Sequence, residues 1–225
     1  MSGREFFTID EAAKVLGVSA RHVRRLADSG AISRVARGLV DRTSVDRYRQ
    51  SQRQGRTRSW AEYTAWGAVA LLAGQEATWL GATQASRLRQ SLLALAADQD
   101  VDGLLTRLRD RARVMSYQAH RSALPRLRTA LAVTSTKSLG IPDAGPETID
   151  GYVAAGEVDD LTRTLGLRPD PGGPVTLRVT GFDVDRVRAL VETPVVAALD
   201  AATSIDPRLR GAGRRAVSEA MEAYR

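Results

Sequence analysis

The sequence predicts an α+β chain, mostly helical, in two parts. Three observations carry this. Apolar residues recur at three- and four-residue spacing behind helix-capping signals along much of the 225 residues. The stretch "VTLRVTG" (175–181) alternates β-branched residues as a strand does. The charge is divided: residues 1–58 hold thirteen Lys/Arg against six Asp/Glu, the whole formal excess of +7, while residues 59–225 hold twenty of each.

In the first part Thr8 and Glu11 form a capping box, and Ile9, Ala12, Ala13 and Leu16 follow at helical spacing. Gly17 breaks this helix. Ser19 caps the next, in which Val23, Leu26 and Ala27 face inward and Arg21, Arg24 and Arg25 are left outside. Gly30 is expected as its left-handed C-terminal cap. "AISRVARGLVD" (31–41) reads as a small hairpin turning at Ala36–Gly38, and Thr43 or Ser44 opens a third helix. The sequence thus divides into a winged helix-turn-helix over 1–50, a basic linker over 51–58 and an α+β domain over 59–225.

In the second part Ser59 and Glu62 form another capping box for a helix to about Ala73. Helices are expected over 81–98 and 101–112, a strand over 113–120, and a short helix with Pro125 in its first turn. A strand follows at "LAVTST", then helices over 146–155 and 157–165. After the strand 175–181 comes a further strand near 187–191. Helix "PVVAALDAA" and a last helix capped by Asp206, with Pro207 in first position, close the chain.

Composition excludes several classes. There is no cysteine, so disulfides, thiol catalysis and zinc fingers fall together, in keeping with a cytoplasmic protein. The longest apolar run, "GAVALLAG" (67–74), is too short to span a bilayer, and the first residues carry no apolar signal segment. No cofactor loop is expected: the "GAG" of 211–213 lacks a third glycine and follows no strand. "DQDVDG" (98–103) begins like a calcium loop, but its twelfth position is Arg109, a cation where a bidentate Glu must stand. With two histidines and no nucleophile elbow near His120, neither a metal site nor an enzyme is expected. Trp60, Trp66 and Trp79 read as core.

The located charge points to a polyanion. A helix, a glycine turn, a second helix and a wing place the second helix in the major groove of double-stranded DNA. Ser19 and the free N–H groups of that helix's first turn meet a phosphate. Arg21, Arg24 and Arg25 fork onto guanine edges or phosphates, and Arg34, Arg37 and Arg42 add contacts from the wing. His22 is either a phosphate neighbour or an exposed bystander. Of the 33 basic residues only Lys14 and Lys137 are lysine; arginine suits two-pronged phosphate or guanine contacts, nucleotide bias in the genome is an equally good source of that preference, and a solvated basic face is the plain alternative to DNA reading. Within the neutral remainder, segment 87–137 carries a local +6 that acidic residues elsewhere in 59–225 offset, and Arg107, Arg109, Arg111 and Arg113 form either a second basic surface or a solvated helix running into a strand.

Two resemblances add to this. "FFTIDEAAKVLGVSARHVRRLADSGAI" resembles the winged helix-turn-helix of excisionase and MerR-type regulators, without the coiled coil that follows in MerR activators. Residues 59–225, through "WAEYTAWGAVALLAG", "RLRQSLLAL", "LLTRLRDRARVMSYQAHRSALPRL" and "ALDAATSIDPRLRGAGRRAV", resemble AbiEi-type antitoxins. That resemblance implies repression of the protein's own operon and an antidote role toward a nucleotidyltransferase toxin. A stand-alone regulator whose body senses a ligand or dimerises is the alternative, and an enzyme tethered to DNA the least favoured. Oligomeric state is left open.

Overall fold

The computed structural model describes residues 6–28, 31–53, 58–143 and 145–225. The fold is α+β, in two compact units, Met1–Arg56 and Thr57–Arg225.

The first unit runs β1 (Phe6–Thr8), α1 (Ile9–Leu16), α2 (Ala20–Asp28), β2 (Arg34–Ala36), β3 (Leu39–Asp41) and α3 (Arg42–Arg53). The Thr8–Glu11 capping box forms with both reciprocal bonds, and Gly17 ends α1 at a φ of 67°, a conformation that favours glycine. Ile9, Ala12, Val23, Leu26, Ile32, Val40 and Val45 make a core of their own. β3 pairs antiparallel with both β1 and β2, with a bulge in β2 between Arg34 and Ala36.

Three local expectations need correction here. The third helix begins at Arg42, not Thr43 or Ser44, because Asp41 accepts the Ser44 N–H at 2.7 Å and does the capping. Buried Ser44 instead uses its hydroxyl inward, donating to the Asp41 carbonyl and accepting the Ser33 N–H. α3 also continues to Arg53, into the stretch read as linker. β1 was not expected from the sequence. Gly30 and residues 54–57 of the expected linker lie outside the described residues.

The second unit opens with α4 (Glu62–Leu72), α5 (Ala82–Ala97) and α6 (Val101–Leu108). β4 (Arg113–Gln118), α7 (Leu124–Ala130), β5 (Ala132–Val133), β6 (Ile149–Ala154) and α8 (Val158–Thr164) follow. β7 (Arg168–Pro169), β8 (Val175–Thr180), α9 (Val184–Val191), α10 (Pro194–Ala202) and α11 (Pro207–Ala223) complete it. The sheet order is β5–β6–β8–β4–β7, with β6 and β8 parallel and the other pairs antiparallel. Tyr117, Ile149, Val153, Leu177 and Val179 pack with Leu124, Leu127 and Val158 in one core. Tyr152 belongs to the other and larger one, with α4, α5, α6 and α9–α11. α4 is buried from Ala65 through Leu72, as befits a helix apolar on all sides.

The sequence misassigns two elements in this unit. Residues 149–154, expected as helix, form β6, whose Ile149, Tyr152 and Val153 feed both cores and so show no one-sided alternation. Residues 187–191, expected as a strand, lie in α9: Asp183 accepts the N–H groups of Asp185 and Arg186, and Val187, Leu190 and Val191 share the inward stripe. The Ser59–Glu62 capping box is also absent. Ser59 Oγ donates to Asp110, and Glu62 accepts from Thr180 Oγ1 at 2.6 Å and from the Gly181 N–H at 2.8 Å, tying α4 to the end of β8. Among the described residues no helix is long and apolar enough to cross a membrane.

Candidate nucleic-acid interface

α2 is built to present cations. Val23 and Leu26 are buried, so residues 21, 24 and 25 must face outward, and all three arginines are exposed. Ser19 starts the helix: its carbonyl accepts the Val23 N–H at 3.1 Å and its Oγ accepts the His22 N–H at 3.3 Å. The half-exposed His22 ring lies next to Arg25, whose Nη2 sits 3.0 Å from Nδ1.

The hairpin brings further cations. Arg34 reaches back to the C-terminal end of α2, where Nη2 donates to Asp28 Oδ1 at 2.6 Å. Asp28 therefore offsets part of the charge Arg34 brings. Arg37 is exposed at the turn, which is anchored by the Ile9 N–H donating to the Gly38 carbonyl at 3.1 Å. Arg42 lies 5.3 Å from the centre of the Phe7 ring and 3.7 Å from Asp46, so its contacts run to β1 and α3. The arginines of α2 thus share one outer face with His22, and Arg34 is joined to it. Phe7 and Asp28, which hold Arg42 and Arg34, were not visible in the sequence. The pairing of His22 with Arg25 was available from their i, i+3 spacing.

The other residues singled out from the sequence have structural duties. Asp100 caps α6 by accepting the Gly103 N–H at 2.8 Å, and Asp102 receives a two-pronged contact from Arg214 at 2.7 and 2.9 Å. That guanidinium holds the Asp102 carboxyl below the usual range. His120 caps a 3-10 turn, its Nδ1 accepting the Ser122 N–H. Among the described residues no group of three metal-ligating side chains comes together. Arg107, Arg109, Arg111 and Arg113 do not form one basic surface. Arg111 is buried against Asp200 and Tyr152, and Arg107 packs on Trp60 at 5.5 Å. Their i, i+2 spacing turns alternate side chains inward at the junction of α6 and β4.

These features define an α+β protein whose N-terminal unit exposes a capped arginine helix beside a hairpin. Residues 1–40 match the family model of the transcriptional regulators described as AbiEi antitoxins. No curated protein and no solved structure matches the chain. The matched residues span α1, α2 and most of the hairpin. The match falls in the unit that carries the arginine helix and does not extend into residues 59–225, where the sequence resemblance is drawn. The similarity supports a DNA-binding regulator of the antitoxin class.

Proposed function

We propose that this chain is a non-enzymatic antitoxin regulator: its N-terminal unit reads an operator as a winged helix-turn-helix, and residues 59–225 counter a nucleotidyltransferase toxin. The observation that carries the DNA half is the outward arginine face of α2, in the same residues that match the regulator family. Placed in the major groove, the first turn of α2 offers the Ser19 hydroxyl and unbonded N–H groups to a phosphate. Arg21, Arg24 and Arg25 then lie along base edges, where guanine O6 and N7 accept a guanidinium pair. Arg34, Arg37 and Arg42 supply backbone contacts from the hairpin and the start of α3. The excess of positive charge in residues 1–58 draws the unit to the duplex before any base is read.

The toxin half rests on the antitoxin description of the matched family and on the separate core of the second unit. Two measurements test the proposal. Titration of the full chain with duplex DNA should show affinity falling with salt, with a slope of about −0.9 per phosphate neutralised; absence of binding at low ionic strength overturns the DNA half. Co-expression with the adjacent reading frame, scoring growth, tests the other. Rescue by the full chain supports an antidote role. Failure of rescue, together with a small molecule that shifts operator affinity, would favour a stand-alone ligand-sensing regulator.

A further inference from the structure

The described cations of the first unit differ in what holds them. Arg34 and Arg42 are held by carboxylates, Asp28 and Asp46, which offset their charge. Arg25 has a ring nitrogen beside it instead: its Nη2 lies 3.0 Å from His22 Nδ1, and because a guanidinium can only donate, Nδ1 is the acceptor in this contact. An imidazole in that role fixes a guanidinium without neutralising it. It uses one of the five guanidinium hydrogens and leaves four, enough for a two-pronged contact with guanine. The ring itself is well placed for the task. Its backbone N–H is bonded to the Ser19 cap, which seats His22 in the first turn of α2, one turn before Arg25. Arginine is rich in rotamers, so a side chain held before binding gives up less freedom when it meets a base.

We infer that His22 is a positioning residue for base recognition: with Nδ1 as acceptor, it orients the Arg25 guanidinium toward one guanine of the operator. This rests on the DNA-reading role proposed above. It assigns His22 neither the phosphate contact nor the idle surface position that its sequence context offers. A histidine acting on a phosphate would work through charge and affect every sequence alike. A histidine acting through Arg25 affects one base pair.

The full-length chain first selects a duplex from a randomised double-stranded pool. That duplex and its single-pair replacements are then titrated with wild type and with Arg25→Ala, His22→Ala, His22→Asn and His22→Lys. Arg25→Ala should flatten discrimination at one G·C pair by roughly tenfold or more. His22→Ala should flatten the same pair by about tenfold, with the salt slope unchanged. His22→Asn should restore it, because the asparagine Oδ1 stands close to where Nδ1 stood, and His22→Lys should not. Undiminished discrimination in His22→Ala overturns the inference. So does a uniform loss across all sequences with a shallower salt slope that His22→Lys repairs. Should His22→Ala melt the unit, the folded His22→Asn variant decides: loss of discrimination there overturns the inference, and retention supports it. If wild type selects no duplex, DNA reading itself fails and this inference falls with it, an outcome distinct from all the others.

Discussion

Arg111 Nη2 donates to Asp200 Oδ1 at 2.5 Å, with both side chains 6% exposed, between a turn after α6 and the last turn of α10. The same carboxylate oxygen accepts from Tyr152 at 2.8 Å and faces Arg178 at 3.1 Å, and Arg178 in turn grips Asp150 with two bonds. Two arginines and two aspartates thus balance inside the second unit, joining β6, β8 and α10. Replacing one partner leaves a buried charge uncompensated. Asp200→Ala should therefore lower unfolding free energy by about 3–5 kcal/mol. Urea unfolding that moves its midpoint at constant slope would show it; an unchanged midpoint would remove the cluster from the stability of the unit.

Two glycines in α11 should respond in opposite directions. At Gly213 an added Cβ would stand 2.2 Å from the Ala202 backbone nitrogen, where α11 presses on α10. At Gly211 it would meet only Arg215 Nη1, at 3.7 Å. Gly213→Ala should cost about 1–3 kcal/mol by overpacking. Gly211→Ala should add about 0.5–1 kcal/mol, because alanine loses less backbone freedom in a helix interior. Thermal melts of the two variants, run side by side, check the sign.

Arg24 and Arg25 are exposed and lie on the opposite side of α2 from Val23 and Leu26. Converting both to alanine should weaken duplex binding by at least about tenfold and leave the melting temperature unchanged. Fluorescence anisotropy at two salt concentrations would measure it, and intact affinity would take α2 out of the interface.

Burial pushes the Tyr152 phenol well above its ordinary value, and burial also raises Tyr117 and Tyr224. A group whose folded value is raised keeps the neutral form, so its contribution to stability is intact below the unfolded value near pH 10. That contribution is lost as pH climbs above it, when the unfolded chain ionises first. Phenolate absorbance should accordingly lag behind that of a tyrosine peptide and then rise together with unfolding. A titration in which all five tyrosines ionise near pH 10 with the fold intact would contradict this burial.

Much of the first unit was legible because its signals are local. Thr8–Glu11, Gly17 and Ser19 act within one turn of themselves, and the outward placement of Arg21, Arg24 and Arg25 follows from the spacing of Val23 and Leu26. The same short-range logic failed where a residue's partner was remote in sequence. Glu62 looked like a helix cap and instead binds Thr180 and Gly181. Arg111 looked like one of a row of surface cations and is the buried partner of Asp200.

By itself the sequence determined the class of the fold, the confinement of charge to the first quarter and the arginine face of α2. All three are written in composition and in contacts within about four residues. Only the tertiary structure decided that 149–154 is a strand and 187–191 a helix, that Asp28 takes up Arg34, and that Arg111 turns inward. Those outcomes depend on burial against segments far along the chain, and the free energy of burying a strand on two faces or pairing a charge in a core is absent until the partner arrives.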